Sequence, residues 1–294
     1  MQSRINELIK ISRIEAEKWI SYGLKKKEEK EIKYLLSEGN ENNLIESFHK
    51  KLEFGTGGIR GLIGIGSNKI NTYTISIATQ GLCNYLNKIN SDRKSAVIAY
   101  DSRRFSKEFG HQTAKIFSAN NIKSYIFSDL RPTPELSFAV RELNCSCGIV
   151  ITASHNPKEY NGYKVYWNDG GQITAPHDKN IISEVEKITD FNQINFNFNS
   201  ELIEEIDTKI DKKYIDKIQS LSVYDNSRSN LKIIFSSLHG TGITQIPIAL
   251  KAFGFKNISS VESQELPDPE FSTVTCPNPE DLDALDLGIK KLKK

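Results

Sequence analysis

In the stretch ITASHNPKEYNGYKVYWNDGG, residues 151–171, Ser154 and His155 stand side by side at the end of an apolar run. An Asn-Pro pair follows, and Lys164 lies ten residues beyond the serine. A serine in an exposed loop after a strand can carry a phosphoryl group, splitting one difficult transfer into two easier steps. The phosphorylated form holds about −1.5 to −2 charges, so it needs cationic company. Three more loops supply it: FGTGGIRG (54–61), YDSRRFS (100–106) and SDLRPTPE (128–135). If these gather with ASHNPKEYNGYK (153–164) at one sheet edge, they unite Arg60, Arg103, Arg104, Arg131, Ser154, His155, Lys158 and Lys164 as a phosphate-handling group.

Other chemistries fit less well. Ser154 lacks the G-x-S-x-G elbow of a serine hydrolase, and neighbours along an extended chain face apart. The glycine run fails both common nucleotide patterns: Arg60 takes the third fingerprint position after Gly55 and Gly57, and no GK[ST] follows. By itself that run reads equally well as a tight structural turn. Lys164 returns on a strand after Asn161-Gly162, a pair with turn character, and serves either as an acid/base group or as a fixed positive clamp.

These loops need a scaffold. The segments GIRGLIGI, SAVIAY, KSYIF and CGIVIT read as strands, and they alternate with helical patterns over NTYTISIATQGLCNYLNKI, near 106–118 and near 134–142. Asn71 is placed to cap the first of these helices. Such alternation predicts an α/β fold, a layered and mostly parallel sheet with helices on both faces, with ligand loops at the carboxyl ends of the strands. Residues 4–20 and 28–37 form an N-terminal helical arm. Residues 190–200 read as a linker with a short strand, and 201–221 as an amphipathic helix. Strands LKIIFS and NISSV with a helix near 243–253 then begin a second α/β unit, closed by a helix over PNPEDLDALDLGIKKLKK. The expected division is 1–205 and 206–294, the second domain being truncated.

Composition narrows the classes. With 39 basic and 37 acidic residues among 294, the net charge of +2 is too balanced for a nucleic-acid footprint. No stretch approaches the roughly 20 apolar residues of a membrane span, so neither nucleic acid nor a membrane is an expected partner. Cys83, Cys145, Cys147 and Cys276 lack zinc spacing, and no apolar signal segment opens the chain. A reducing, cytoplasmic location is expected.

The motif TASHNPKEYNGYKVYWNDGGQI closely resembles the active-site serine motif of the α-D-phosphohexomutases, the phosphoglucomutase/phosphomannomutase family. FGTGGIRG, AYDSRRFS, RPTPEL, FSSLHGTG and PNPED resemble successive segments of its first two domains. The arm and ATQGLCNYL most resemble the long phosphoglucomutase branch that includes phosphopentomutases. The resemblance implies interconversion of sugar 1-phosphate and 6-phosphate through a phosphoserine at Ser154 and a bisphosphate intermediate. It implies catalytic roles for His155, Lys164 and Arg60, and substrate binding by Thr56, Gly57, Arg103, Arg104, Asn156 and Lys158. A sugar bisphosphate activator is implied too, with Mg2+ held by the Ser154 phosphate and three aspartates.

The family's acidic metal loop would follow beyond Lys294; neither PDPE (267–270) nor DLDALD (281–286) replaces it, the latter spreading its aspartates around a helix. The expectation is an N-terminal portion, inactive or nearly so alone. The alternative is a non-catalytic fragment that binds sugar phosphate. A second unit of about 90 residues with an open sheet edge should self-associate. Sedimentation should show mass rising with concentration; a monomer over a broad concentration range would contradict this.

Overall fold

A computed structural model describes residues 2–55, 57–89, 94–223 and 230–293. Its main body is a six-stranded sheet in the order β1-β5-β4-β2-β3-β6, built from Gly58–Leu62 (β1), Ser95–Tyr100 (β2), Lys123–Phe127 (β3), Cys147–Ile151 (β4), Tyr160–Trp167 (β5) and Ile203–Ile206 (β6). Strands β4, β2, β3 and β6 pair in parallel; β5 runs against both β4 and β1. The predicted mostly parallel α/β sheet is therefore what forms.

The helices cover both faces because the buried strands are apolar on each side. Ile98, Ile126, Ile149 and Ile151 point into one core, while Val97, Ala99, Phe127 and Val150 point into the other. The first core is covered by Thr72–Lys88 (α4), Ser106–Ala119 (α5) and His177–Glu186 (α7); the second is covered by Thr133–Glu142 (α6). Asn71 caps α4 as expected, its side chain accepting from the amides of Tyr73 and Thr74, both at 3.0 Å.

The N-terminal arm comprises Gln2–Ser21 (α1), Lys26–Leu36 (α2) and Glu41–Phe48 (α3). The third helix goes beyond the sequence expectation: with eight residues it is too short to show periodicity, yet Leu44 and Phe48 at i, i+4 are buried. Trp19, Phe48, Tyr73 and Phe191 pack edge to face and stacked, so the arm shares the sheet's core.

Between 190 and 200 the predicted short strand is absent. Asp190 and Asn199 accept from the amides of Asn192 (2.8 Å) and Glu201 (2.9 Å), fixing short 3-10 turns instead of a ladder. The strand comes later, as β6, and the following helix starts at Thr208 rather than 201, running to Ser220 as α8. The second unit pairs Lys232–Phe235 (β7) with Asn257–Ser260 (β8) in parallel, beside Gly242–Ala252 (α9) and Leu282–Leu292 (α10). Here Leu238, Val261, Phe271 and Ala284 are buried, whereas Ile248, Leu266, Leu282 and Leu292 are exposed.

A buried polar cluster joins the two units. Arg131 forks onto Asp211 of α8 at 2.8 and 2.9 Å. Below it, Glu135 is fully buried, one oxygen 3.4 Å from the Gln245 amide of α9 and the other without a hydrogen-bond partner among the described residues. Burial, reinforced by the Asp211 carboxylate, pushes Glu135 up to about 9. With its folded pKa raised, Glu135 keeps its proton where the unfolded chain has lost it, so stability falls as pH climbs from about 4.5 towards 9. Glu135→Gln should therefore stabilise the fold more at pH 8 than at pH 5, by up to about 4 kcal/mol, roughly 1.4 kcal/mol for each pH unit. Urea denaturation across that range checks this, and an equal effect at both pH values would refute it.

Candidate active site

Because β1, β4, β2 and β3 point the same way, their carboxyl ends share one edge. Ser154 lies three residues beyond the end of β4 and takes a left-handed backbone, φ 60°. A non-glycine residue is held there only when its surroundings over-determine it. Here the Ser154 amide donates to Thr152 Oγ1 (2.9 Å), and its carbonyl accepts from Arg103 Nη2 (2.9 Å). The residue is exposed, and its hydroxyl lies 3.4 Å from His155 Nδ1, at the long limit of a hydrogen bond.

Arg103 does more than hold the serine. Its guanidinium also donates to the carbonyls of Asn156 (2.6 Å), Pro157 (2.8 Å) and Tyr160 (3.0 Å), so four loop carbonyls converge on one buried cation. Asp101 braces it, accepting from the Arg103 amide (2.9 Å) and lying 3.4 Å from Nε. Burial raises Asp101 despite the hydroxyls and the guanidinium that hold it down. Thus Arg103, expected to face substrate, builds the loop. Arg131 is spent on Asp211 and stays out of the cationic group.

The other cations do gather. Arg60 lies within β1, level with Thr152 across Gly162, and donates to Asn156 Oδ1 at 3.0 Å. Lys164 sits on β5 between Gly58 and Val150. Its amine is lowered from the usual lysine value, first by burial and then by Arg60, with Asp101 opposing. Arg104 and Lys158 are exposed beside the serine loop. Gly57 adjoins β1, and Thr56 lies outside the described residues.

The Asn161-Gly162 pair is not a turn. Both residues lie inside β5, and the chain reverses earlier, at 154–159. Gly162 is required by close approach: a Cβ would come within 2.7 Å of the carbonyl oxygens of Ile59 and Thr152. The buried Asn161 donates to the Arg104 carbonyl (3.1 Å) and Ser106 Oγ (2.9 Å), tying the two loops together.

Sequence reasoning missed three contributions from the second unit. Glu270 pairs with Arg104 and Lys158, Phe271 lies under the Arg103 guanidinium at 5.2 Å, and the Cys276 thiol reaches the His155 carbonyl at 3.2 Å. Their one local signal is the Pro-Asp-Pro turn chemistry of 267–269, which marks a sharp reversal without saying what it meets. Among the described residues no group of three or more His, Cys, Asp or Glu is arranged to hold a metal ion. Among the same residues no helix is long and apolar enough to cross a membrane.

An exposed serine with cationic neighbours at the carboxyl edge of a layered α/β sheet is an arrangement suited to anionic ligands. Known proteins narrow it. Residues 51–192 match the family model "Phosphoglucomutase/phosphomannomutase, alpha/beta/alpha domain I", and 212–294 match domain II. The chain belongs to the phosphoglucomutase/phosphomannomutase family. It is 42% identical to a phosphoglucomutase of Staphylococcus haemolyticus over 84% of this chain and 45% of that one. It is 36% identical to a human glucose 1,6-bisphosphate synthase over 94% of this chain and 47% of that one. A crystal structure from Thermus thermophilus, assigned as a phosphomannomutase, shares the fold with TM-score 0.71 at 24% identity, over 83% of this chain and 52% of that one. The chain spans about half the length of the curated relatives it matches.

The arginine at 103 has a measurable role. Lysine cannot reproduce a planar fork that serves four carbonyls, so Arg103→Lys should cost about 3 kcal/mol in denaturant unfolding and make residues 152–160 sensitive to protease. A loss under about 0.5 kcal/mol would be that of an ordinary surface change and would contradict the assignment.

Proposed function

We propose that this chain is the N-terminal portion of an intramolecular phosphotransferase that interconverts sugar 1-phosphate and sugar 6-phosphate. The observation that carries this reading is the left-handed Ser154, whose backbone is fixed from both sides while its side chain faces solvent among cations. In the forward half-reaction a sugar hydroxyl oxygen attacks the Ser154 phosphorus. The new P–O bond forms as the P–Oγ bond breaks, leaving a bisphosphate; the reverse step, from the other phosphate, regenerates phosphoserine. The hydroxyl proton needs an acceptor, and Lys164 suits this because burial and Arg60 enlarge its neutral fraction, while the departing Ser154 Oγ, exposed at the loop, takes up a proton from solvent. Arg60 and His155 stabilise charge at the transferring group, while Arg104, Lys158, Asn156, Gly57 and Thr56 bind the substrate.

Enzymes of this family generally use Mg2+. The described residues alone do not fit that ion, because no carboxylate cluster faces Ser154, so no step here passes through it. We therefore assign these 294 residues the phosphoserine exchange rather than full turnover. A sugar bisphosphate is the natural phosphoryl donor, and four free cysteines, three of them buried, suit a reducing cytoplasm.

Incubation with glucose 1,6-bisphosphate and Mg2+ should load one phosphoryl group, found at Ser154 by peptide mass mapping and absent from Ser154→Ala. Lys164→Met should slow loading at least tenfold and flatten its rise with pH. Turnover of glucose 1-phosphate should stay far below the ordinary range of about 1–1,000 per second. Loading of the alanine variant would overturn the reading, and sugar-phosphate binding without any loading would favour the non-catalytic alternative.

A further inference from the structure

The segment after β8 presents Glu270 on a stiff turn. Asp268 accepts from the amides of Glu270 (2.8 Å) and Ser272 (2.9 Å), and its carboxyl is held down to about 2, chiefly by Ser272. His239 braces the turn from below through the Leu266 carbonyl (3.0 Å) and Thr273 Oγ1 (2.8 Å). Phe271, left-handed at φ 50° and buried, anchors it under Arg103. On this support the Glu270 carboxylate meets Arg104 through Nε and Nη2, and Lys158 through Nζ at 3.1 Å.

Both cations are exposed side chains of the first unit, and the anion comes from the second. A carboxylate facing two cations that adjoin a phosphoryl-carrying loop occupies the place of a ligand anion. We propose that Glu270 is a resident counter-ion of the Arg104–Lys158 site, which the phosphate of an incoming sugar phosphate must displace, so that Glu270 sets the affinity of the site for phosphate esters. This rests on the phosphoryl-transfer reading given above.

The physical balance favours exchange. A phosphate dianion brings about twice the charge of a carboxylate and three acceptor oxygens, whereas Glu270 offers one charge and two oxygens. The Glu270 pairs are partly exposed and screened, hence weak enough to open. As an intramolecular occupant, however, Glu270 acts at an effective concentration in the millimolar range. Neutral sugars do not compete for the two cations, so Glu270 leaves their binding unchanged and weakens only the binding of anions that must displace it. A site open roughly one part in five to ten weakens ligand binding by the same factor.

Titration calorimetry of glucose 1-phosphate into the wild-type chain, Glu270→Gln and Glu270→Ala tests this. Both variants should bind about fivefold to tenfold more tightly than wild type, with binding of glucose unchanged. Unchanged or weaker binding in the variants, while wild type still prefers glucose 1-phosphate over glucose, overturns the counter-ion role and makes Glu270 a bracket that positions the two cations. If no form prefers glucose 1-phosphate over glucose, the counter-ion role and the underlying reading of the site both fall.

Discussion

Four carbonyl oxygens from residues 154 to 160 meet a single buried guanidinium, and the geometry of the site follows from that convergence. A loop that reverses between two antiparallel strands loses its ladder partners, and buried carbonyls must find others. Arg103 supplies them with a charge that cannot be titrated away and a fork whose planarity fixes the directions of the bonds. Asp101 compensates the charge from beneath, and Phe271 closes the remaining face. The cation is consumed in building the loop, so its neighbour Arg104 is left to face solvent.

Fixing the backbone in this way has a consequence for Ser154. Both its amide and its carbonyl are engaged, so the left-handed conformation is imposed by the surroundings and the hydroxyl is the one polar group left to point outward. Arg60 and Lys164 approach from two strands rather than from loops, which gives them positions set by ladder register. That proximity of like charges costs stability. The depressed amine of Lys164 records burial first and that proximity second, and it is a common mark of sites whose chemistry needs it.

Much of this is legible in the sequence. Apolar runs of four to six residues alternating with helical periods point to the sheet and its layers, and the side-by-side Ser154 and His155 mark the loop. The failures have physical causes. The pair Arg103-Arg104 gives no local sign of which residue turns inward, because that depends on carbonyls about fifty residues away. Asn161-Gly162 carries turn character, yet its glycine answers to the close approach of β1, a tertiary fact. The alternating phenylalanines of 190–200 suggest a strand, but Asp190 and Asn199 capture the nearby amides first. Glu270 escapes notice because an isolated acidic residue in a Pro-rich turn says nothing about which cations it will meet.

The second unit draws much of its order from the first. Its buried residues include Leu238, His239, Gln264 and Phe271, which build the turn that touches the serine loop, while the apolar side chains Leu266, Leu282 and Leu292 are left exposed. Its polar anchors, Asp211, Gln245 and Glu270, all engage side chains of the first sheet's loops and helices. A displacement of this unit would therefore act on the site through short, specific links. Phe271 bears on Arg103, Arg103 holds the Ser154 carbonyl, and Cys276 reaches the carbonyl of His155. The conformation of the serine and the seating of the second unit are thus coupled by direct contact, and whatever stabilises one of them stabilises the other.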